Sequence, residues 1–312
     1  MSQQTFIPPH PLKTPVLFLV YKRPDTTRQV FEAIRKAKPP RLYVASDGPK
    51  PDVPVEADKV QQVRDIVLNG VDWECEVKTL FREKNLGCKY GVSSGIGWFF
   101  ENEEMGIILE DDTHPSQSFF FFCEELLERY HDDERIGIIS GDNFQLGKRR
   151  THDSYYFSRY AHIWGWASWR RIWRKYDVEM KQWPTVKSEG WLSDILQDRK
   201  LVKYWHDIFD AVFNGKIDTW DYQLNFSGWI NSTINIIPNW NLVSNIGFGA
   251  GSTHTTGVSQ FSGISFSEME FPLQHPPMII RNTIADGSTE RDQFTKPLIL
   301  TRIAKKIRRM IA

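Results

Sequence analysis

The chain has 312 residues, enough for one large hydrophobic core or for a single domain with appendages. Lys plus Arg and Asp plus Glu both number 39, which argues against a global polyanion-binding surface and against nucleic acid as a partner. Three scattered cysteines, Cys75, Cys88 and Cys123, lack metal-ligand spacing and read as reduced thiols of an intracellular protein, so a disulfide framework is excluded.

Residues 1–14 lack the basic and apolar blocks of a signal peptide, and no apolar run approaches a membrane span, which predicts a cytoplasmic protein. The first half then alternates β-rich runs with helical patterns. Val16–Tyr21 precedes a helix from about Asp25, Leu42–Ser46 precedes Val55–Leu68, and Cys75–Phe81 precedes Cys88–Phe100. Val30, Ile34 and Ala37 recur at helical spacing, as do Val60, Val63 and Val67. Gly106–Leu109 supplies a further strand, the apolar set from Phe119 to Tyr130 a helix, and Ile136–Ser140 a last strand. The pattern predicts an α/β fold with a mostly parallel central sheet wrapped by helices.

Ligands of such sheets sit outside the carboxyl ends of the strands. Four segments occupy those ends: Tyr21–Asp25, Ser46–Pro49, Arg82–Gly87 and the triplet Glu110-Asp111-Asp112. Three adjacent carboxylates repel one another, so a strand ending in them needs an external cation or strong donors. Mg²⁺ or Mn²⁺ suits such oxygen ligands and keeps positions open for phosphate oxygens, which points to chemistry on a nucleotide diphosphate. In an extended triplet Glu110 and Asp112 face one side and Asp111 the other.

Gly141–Phe157 is polar and rich in Lys and Arg, which suits a mobile loop near the site. Ten of the twelve tryptophans fall between Trp164 and Trp240, and their density favours a sugar-binding surface, although any single Trp is more often core. Gly247-Phe248-Gly249-Ala250-Gly251 offers flexible backbone to close over phosphates, and His254 after it can ligate metal or hydrogen-bond the diphosphate. The turn-rich stretch 257–296 reads as an extension wrapping the domain. The final stretch, 297–312, interleaves Leu298, Ile299, Ile303, Ile307, Met310 and Ile311 with Arg302, Lys305, Lys306, Arg308 and Arg309. It reads as a basic amphipathic helix, either lying on an anionic membrane face or docked on the protein.

Several of these motifs, in this order, carry a resemblance. Ile108-Leu109-Glu110-Asp111-Asp112 with Pro115 and Ser118-Phe119-Phe120, then Thr219-Trp220-Asp221-Tyr222, then Val243-Ser244-Asn245-Ile246-Gly247-Phe248-Gly249, are similar to segments of GT-A fold, nucleotide-sugar-dependent glycosyltransferases. The pattern resembles the inverting N-acetylglucosaminyltransferase that initiates complex N-glycans, and bacterial surface-polysaccharide enzymes. It implies one GT-A, Rossmann-like domain over 15–256, with a nucleotide-binding half at 15–140 and an acceptor-binding half at 141–256. It implies Asp112 as metal ligand, Glu110 near the donor sugar, Asp111 near the ribose, and a donor that is a UDP-sugar. Tyr222 stands where the animal enzyme has a second acidic residue, which leaves the base between Asp221, the leading candidate, and Asp142.

Among the remaining strand-end residues, Arg23, beside Tyr21, can meet phosphate or base. Asp47 can accept hydrogen bonds from base or ribose, and Arg82 can reach the diphosphate. Asn85 and Gly87 shape the turn, and Asp47-Gly48-Pro49 also reads as a plain β-turn. Trp164, Trp166 and Trp169 are the candidate acceptor platforms. The acceptor is a glycan, with a lipid-linked glycan at the cytosolic membrane face suggested by the basic tail. Competing readings are a sugar-phosphate nucleotidyltransferase, disfavoured because no Gly-rich loop follows the first strand, and a non-catalytic carbohydrate-binding protein, which needs no carboxylate triplet.

Overall fold

A computed structural model describes residues 6–248, 261 and 263–294. Its first half is a run of strand–helix units: β1 (Val16–Val20), α1 (Pro24–Ala37), β2 (Arg41–Ser46), α2 (Pro54–Gly70), β3 (Glu76–Phe81), α3 (Gly87–Asn102) and β4 (Met105–Glu110). Pro24 and Pro54 open α1 and α2, where a missing N–H costs nothing and the fixed φ suits the first turn. β5 (Thr113–Pro115), α4 (Gln117–Arg129) and β6 (Ile136–Ser140) follow. The second half holds β7 (Tyr155–Ser158), β8 (Trp166–Trp169), α5 (Arg170–Trp173), α6 (Trp183–Ser188), α7 (Leu192–Leu196), α8 (Arg199–Phe213), α9 (Asp221–Ile230), β9 (Ile234–Pro238) and β10 (Val243–Asn245). α10 (Thr283–Thr289) and a π-helical turn over Glu290–Phe294 end the described chain.

Eight strands form one sheet in the order β3-β2-β1-β4-β8-β6-β9-β7. The pairs β2–β3, β1–β2, β1–β4 and β6–β9 are parallel, while β8 runs antiparallel between β4 and β6, and β7 antiparallel at the edge. The expected α/β architecture with a mostly parallel central sheet is therefore present. Connections from β1 pass to β2 on one side and, by way of β4, to the other, so the crevice at their carboxyl ends opens where the strand order reverses.

Alternation along the strands builds two cores. Val16, Phe18 and Val20 of β1 pack with Val30 and Ile34 of α1, Val63 and Val67 of α2, and the phenylalanines of α4. Leu17 and Leu19 face Ile96, Phe99 and Phe100 of α3, Trp166 of β8, and Trp220 and Leu224 at α9. A third cluster gathers Trp183, Trp205 and Trp229 with Tyr160, Phe209 and Phe226 around α8 and α9.

Much of the tryptophan density is therefore core. Trp166 and Trp169 are each 1% exposed in the central strand β8. The Trp166 ring stacks on Trp220, and Trp169 donates its indole N–H to the carbonyl of Leu127 at 3.1 Å. Neither presents a face to a sugar ring, which corrects their assignment as acceptor platforms. Gly141–Phe157 is also not one loop: Gly141–Gln145 is buried, Tyr155–Phe157 belongs to β7, and Leu146–Arg149 stands exposed.

Residues 263–294 lie against the body of the domain. The Glu268 carboxylate accepts the N–H groups of Gln117 and Ser118 at 3.2 and 2.8 Å, capping α4, while Met269 and Leu273 are buried in the first core. Among the described residues no helix is long and apolar enough to cross a membrane.

Candidate active site

β1 and β4 pair in parallel, with Leu19 beside Glu110, so the segment after β1 and the acidic triplet leave the sheet at the same edge. β4 ends at Glu110, and Asp111 and Asp112 form a turn held by Thr113, whose hydroxyl bridges the N–H and carbonyl of Glu110 at 2.9 and 3.0 Å. The expected strand-like alternation of the triplet is thus broken after its first residue. Asp111 and Asp112 both meet Arg23, whose guanidinium lies 3.0 Å from Oδ1 of Asp111 and 2.8 Å from Oδ2 of Asp112. The second oxygen of Asp111 accepts the backbone N–H of Tyr21 at 3.1 Å, leaving this 3% exposed carboxylate no free oxygen for a ribose.

One guanidinium faces three carboxylates. Burial, then the charges of Asp112 and Asp111, push Glu110 up to about 8 against the pull of Arg23. Burial likewise pushes Asp111 up to about 7, with Arg23 opposing and Asp112 adding to the rise. Burial is the first cause of both shifts, and at Glu110 the neighbouring carboxylates add more than Arg23 offsets. Among the described residues neither the Glu110 carboxylate nor Oδ1 of Asp112 has a hydrogen-bond partner, so two oxygen donors remain at the turn. No group of three or more His, Cys, Asp or Glu side chains among the described residues forms a metal cage. Asp112, the expected metal ligand, is held in an ion pair with Arg23 at 2.8 Å, so a hard divalent cation here would need Asp112 to leave Arg23 and phosphate and water oxygens to complete its shell. His254, the second expected metal ligand, lies outside the described residues.

Two distant segments close on this turn. β10 pairs antiparallel with β5, and the N–H of Ile246 donates to the carbonyl of Asp112 at 2.8 Å, so the backbone at Gly247 runs against the acidic turn. Asp221, the first residue of α9, lies near enough to Glu110 and Cys88 that its negative charge helps raise both. Its Oδ1 accepts the Thr219 hydroxyl and the N–H of Tyr222, the latter at 2.9 Å, which fixes the carboxylate and directs Oδ2 elsewhere. Asp142, the rival, is 0% exposed; Oδ1 accepts the N–H of Trp164 at 3.1 Å, and Oδ2 has no partner among the described residues. Burial pushes its pKa well up, which disfavours the ionised form a general base needs.

The ends of β2 and β3 form a second cluster. Asp47 accepts N–H groups of Gly48 and Leu86 on Oδ1, at 2.9 and 3.0 Å, and of Gly87 and the Asn85 amide on Oδ2, at 3.1 and 3.0 Å. Both oxygens are therefore occupied by the turn, and Asp47 shapes the pocket wall instead of offering a free acceptor to a nucleoside. The Asn85 amide also reaches the Tyr21 hydroxyl at 3.0 Å, and that hydroxyl donates to Glu56 at 2.8 Å. Glu56 also pairs with Lys22; against its burial, the Lys22 ammonium, the Tyr21 hydroxyl and the Lys50 N–H hold it down at about 2. Arg82 points along α3 to the Ser94 hydroxyl at 2.7 Å and joins neither cluster.

Glu56 escaped the sequence reading. Asp218 accepts the N–H groups of Cys88 and Lys89 at 3.1 and 3.0 Å, capping α3 from across the fold. Trp164 is the one candidate platform with partial exposure, its ring edge-on to Phe144 at 4.8 Å and to Phe248 at 5.7 Å. A groove of about 530 Å³ between Lys175 and Ser232, with Trp191 at its rim, shares no residue with the acidic turn.

No family model matches the chain, and no curated protein matches it. Among solved structures it is similar to HddC from Yersinia pseudotuberculosis, at 10% identity over 52% of this chain and 80% of that one, with a TM-score of 0.33. It is similar to UDP-glucose pyrophosphorylase complexed with UDP-glucose, at 10% identity over 47% and 63%, with a TM-score of 0.28. S. aureus TarS 1-349 matches at 9% identity over 74% of this chain and 60% of that one, with a TM-score of 0.42. Less than two thirds of each of the latter two chains is spanned.

Proposed function

We propose that the chain is a metal-dependent glycosyltransferase that moves a sugar from a nucleotide-diphosphate donor, a UDP-sugar by the motif resemblance, to a glycan acceptor with inversion. One observation carries the reading. Three segments that resemble glycosyltransferase motifs, around Asp112, Asp221 and Gly247, meet at the carboxyl end of β4 although more than a hundred residues separate the first from the second. A divalent Mn²⁺ or Mg²⁺ ion bound at Asp112 supplies Lewis-acid stabilisation of the departing diphosphate.

Arg23, already at the turn, would donate N–H groups to the diphosphate, and Asp112 would be the residue to hold a cation. Asp221 takes the proton of the acceptor hydroxyl through Oδ2 while the acceptor oxygen bonds to the anomeric carbon. The bond from that carbon to the diphosphate oxygen breaks on the opposite face, and the leaving group keeps the electron pair. Thr219 and Tyr222 hold Asp221 in place during this transfer. The basic tail and the resemblance together favour an acceptor carried on lipid at a membrane surface.

Thermal shift with UDP, GDP and dTDP, each with and without Mn²⁺, tests donor binding, and nucleotide release from the matching sugar donor in the presence of acceptor tests transfer. A metal-dependent rise with one nucleotide is expected. Pyrophosphate release from a nucleoside triphosphate and a sugar 1-phosphate would instead identify a nucleotidyltransferase, and no shift with any nucleotide overturns the reading.

A further inference from the structure

Five of the thirteen large apolar side chains that stand exposed among the described residues fall in one neighbourhood: Leu146, Trp240, Met278, Ile280 and Ile284, between 40% and 70% exposed. Hydrogen bonds tie their segments together. The Gln145 amide donates to the carbonyl of Ala285 and the hydroxyl of Thr289 at 3.2 and 3.1 Å, which ties the Gln145–Leu146 segment to α10. Asn282 donates to the carbonyl of Arg150 at 3.4 Å, and the N–H of Arg150 donates to Asn239, next to Trp240, at 3.0 Å. Met278 and Ile280 lie on a tight turn closed by the Ile280 N–H on the Met278 carbonyl at 3.2 Å, just before Arg281, which bridges to Phe157 of β7.

Cations border this apolar face. Lys148 and Arg149 are exposed, and the Arg149 guanidinium lies 5.9 Å over the Trp240 ring. Arg281 is not among them, because its guanidinium pairs with Asp286 at 3.3 Å, and that carboxylate, 2% exposed, also accepts the Ser158 hydroxyl. Residues 295–312 follow directly on Phe294, and their sequence carries Lys296, Arg302, Lys305, Lys306, Arg308 and Arg309 with no Asp or Glu. Singly exposed apolar side chains are ordinary; clustered ones flanked by Lys, Arg and Trp are the chemistry of an interfacial surface.

We propose that this face, built on the loop after β6 and on α10, seats the folded domain on an anionic lipid surface, with the apolar side chains entering the headgroup boundary and Lys148 and Arg149 meeting lipid phosphates. It deepens the reading that the acceptor is lipid-borne, because the same loop continues from the Asp142 and Phe144 that flank Trp164 at the edge of the acidic turn. The surface acts independently of transfer, so the two ideas fail separately.

Sedimentation of the full chain with vesicles of phosphatidylcholine alone and with one quarter phosphatidylserine tests it. Wild type is expected to bind the anionic vesicles, and Met278→Glu/Ile280→Glu/Ile284→Glu to lose roughly tenfold or more in partition without a change in melting temperature, since these side chains are 63% to 70% exposed. Lys148→Glu/Arg149→Glu should weaken binding to anionic vesicles only. Ile299→Glu/Ile303→Glu/Ile307→Glu, in the tail, tests whether residues 295–312 cover the face themselves. If these tail substitutions lower the melting temperature and create binding to neutral vesicles, the face belongs to the tail and the proposal is overturned. Equal binding by wild type and the Met278/Ile280/Ile284 variant, or none by wild type, also overturns it. Transfer to a soluble acceptor without vesicle binding would sink this surface while sparing the enzyme reading, and vesicle binding without nucleotide binding the reverse.

Discussion

A β-carbon on Gly247 would stand 2.1 Å from Oδ2 of Asp112 and 2.7 Å from Nη1 of Arg23, inside any tolerated contact. The backbone after β10 therefore presses on the acidic turn at the point where Arg23 and Asp112 meet. Gly247→Ala should push the carboxylate off its partner and misplace the diphosphate. The expected loss is about 2 kcal/mol, roughly thirtyfold in nucleotide affinity, with the fold retained. Calorimetric titration with UDP and Mn²⁺ checks it; unchanged affinity would remove Gly247 from the site.

Asp221 and Asp142 are separated by their surroundings. Asp221→Asn should abolish turnover, by at least about a hundredfold, and spare donor binding, because only the proton acceptor is lost. Asp142→Asn should leave turnover intact and raise the melting temperature at pH 8, since a neutral amide replaces a buried acid that resists ionisation. Loss of turnover in the Asp142 variant with activity kept in the Asp221 variant would reverse the assignment.

The acidic turn also predicts a pH dependence. Glu110 and Asp111 stand at about 8 and about 7 in the fold against ordinary values of 4.5 and 3.8, so the folded chain holds protons that the unfolded chain has released. Their contribution is fully present below the ordinary values and is lost as pH rises through about 7 to 8, by up to roughly 1.4 kcal/mol per pH unit for each proton. Metal-stripped protein should melt lower at pH 8.5 than at pH 6, Glu110→Gln should flatten the profile, and Mn²⁺ should restore the alkaline melting temperature. A profile indifferent to both the substitution and the ion would show that the turn carries no excess charge.

His162 acts on the acid side. Burial holds its imidazole down at about 3 against an ordinary 6.5, so the unfolded chain takes up a proton that the folded chain refuses. Stability is lost as pH falls from 6.5 towards 3, by about 2 kcal/mol at pH 5. Replacing His162 with Gln should remove that slope in denaturant titrations at pH 7 and pH 5; an equal slope in the variant would contradict it.

The strand–helix alternation of the first half was legible because its apolar periods are local. β1 to β4 and α1 to α4 stand close to where Val16–Tyr21, Leu42–Ser46, Cys75–Phe81, Gly106–Leu109 and their helices placed them. Trp166 and Trp169 were misread because composition cannot separate a tryptophan that faces a ligand from one in a strand buried on both faces. The charge balance of the triplet was only half legible. Its need for a cation followed from adjacency, yet nothing in the chain order marks Arg23, 89 residues away, as the group that answers it. Glu56 was missed for the same reason: it is an ordinary surface acid in sequence and becomes particular only through Tyr21 and Lys22, partners brought by folding.

Glu268 capping α4 bears on how the protein is made. When the ribosome has released β4 and α4, the strand that pairs with β4 on its far side, the segment that closes against Asp112 and the carboxylate that completes α4 are all still unsynthesised. The nascent first half thus emerges with an open sheet edge and an uncapped helix beside three clustered acids. The acidic edge reaches final form only when about four fifths of the message has been read, at Ile246 of 312 residues, which makes the preceding stretch of translation the interval in which this chain most needs protection from aggregation.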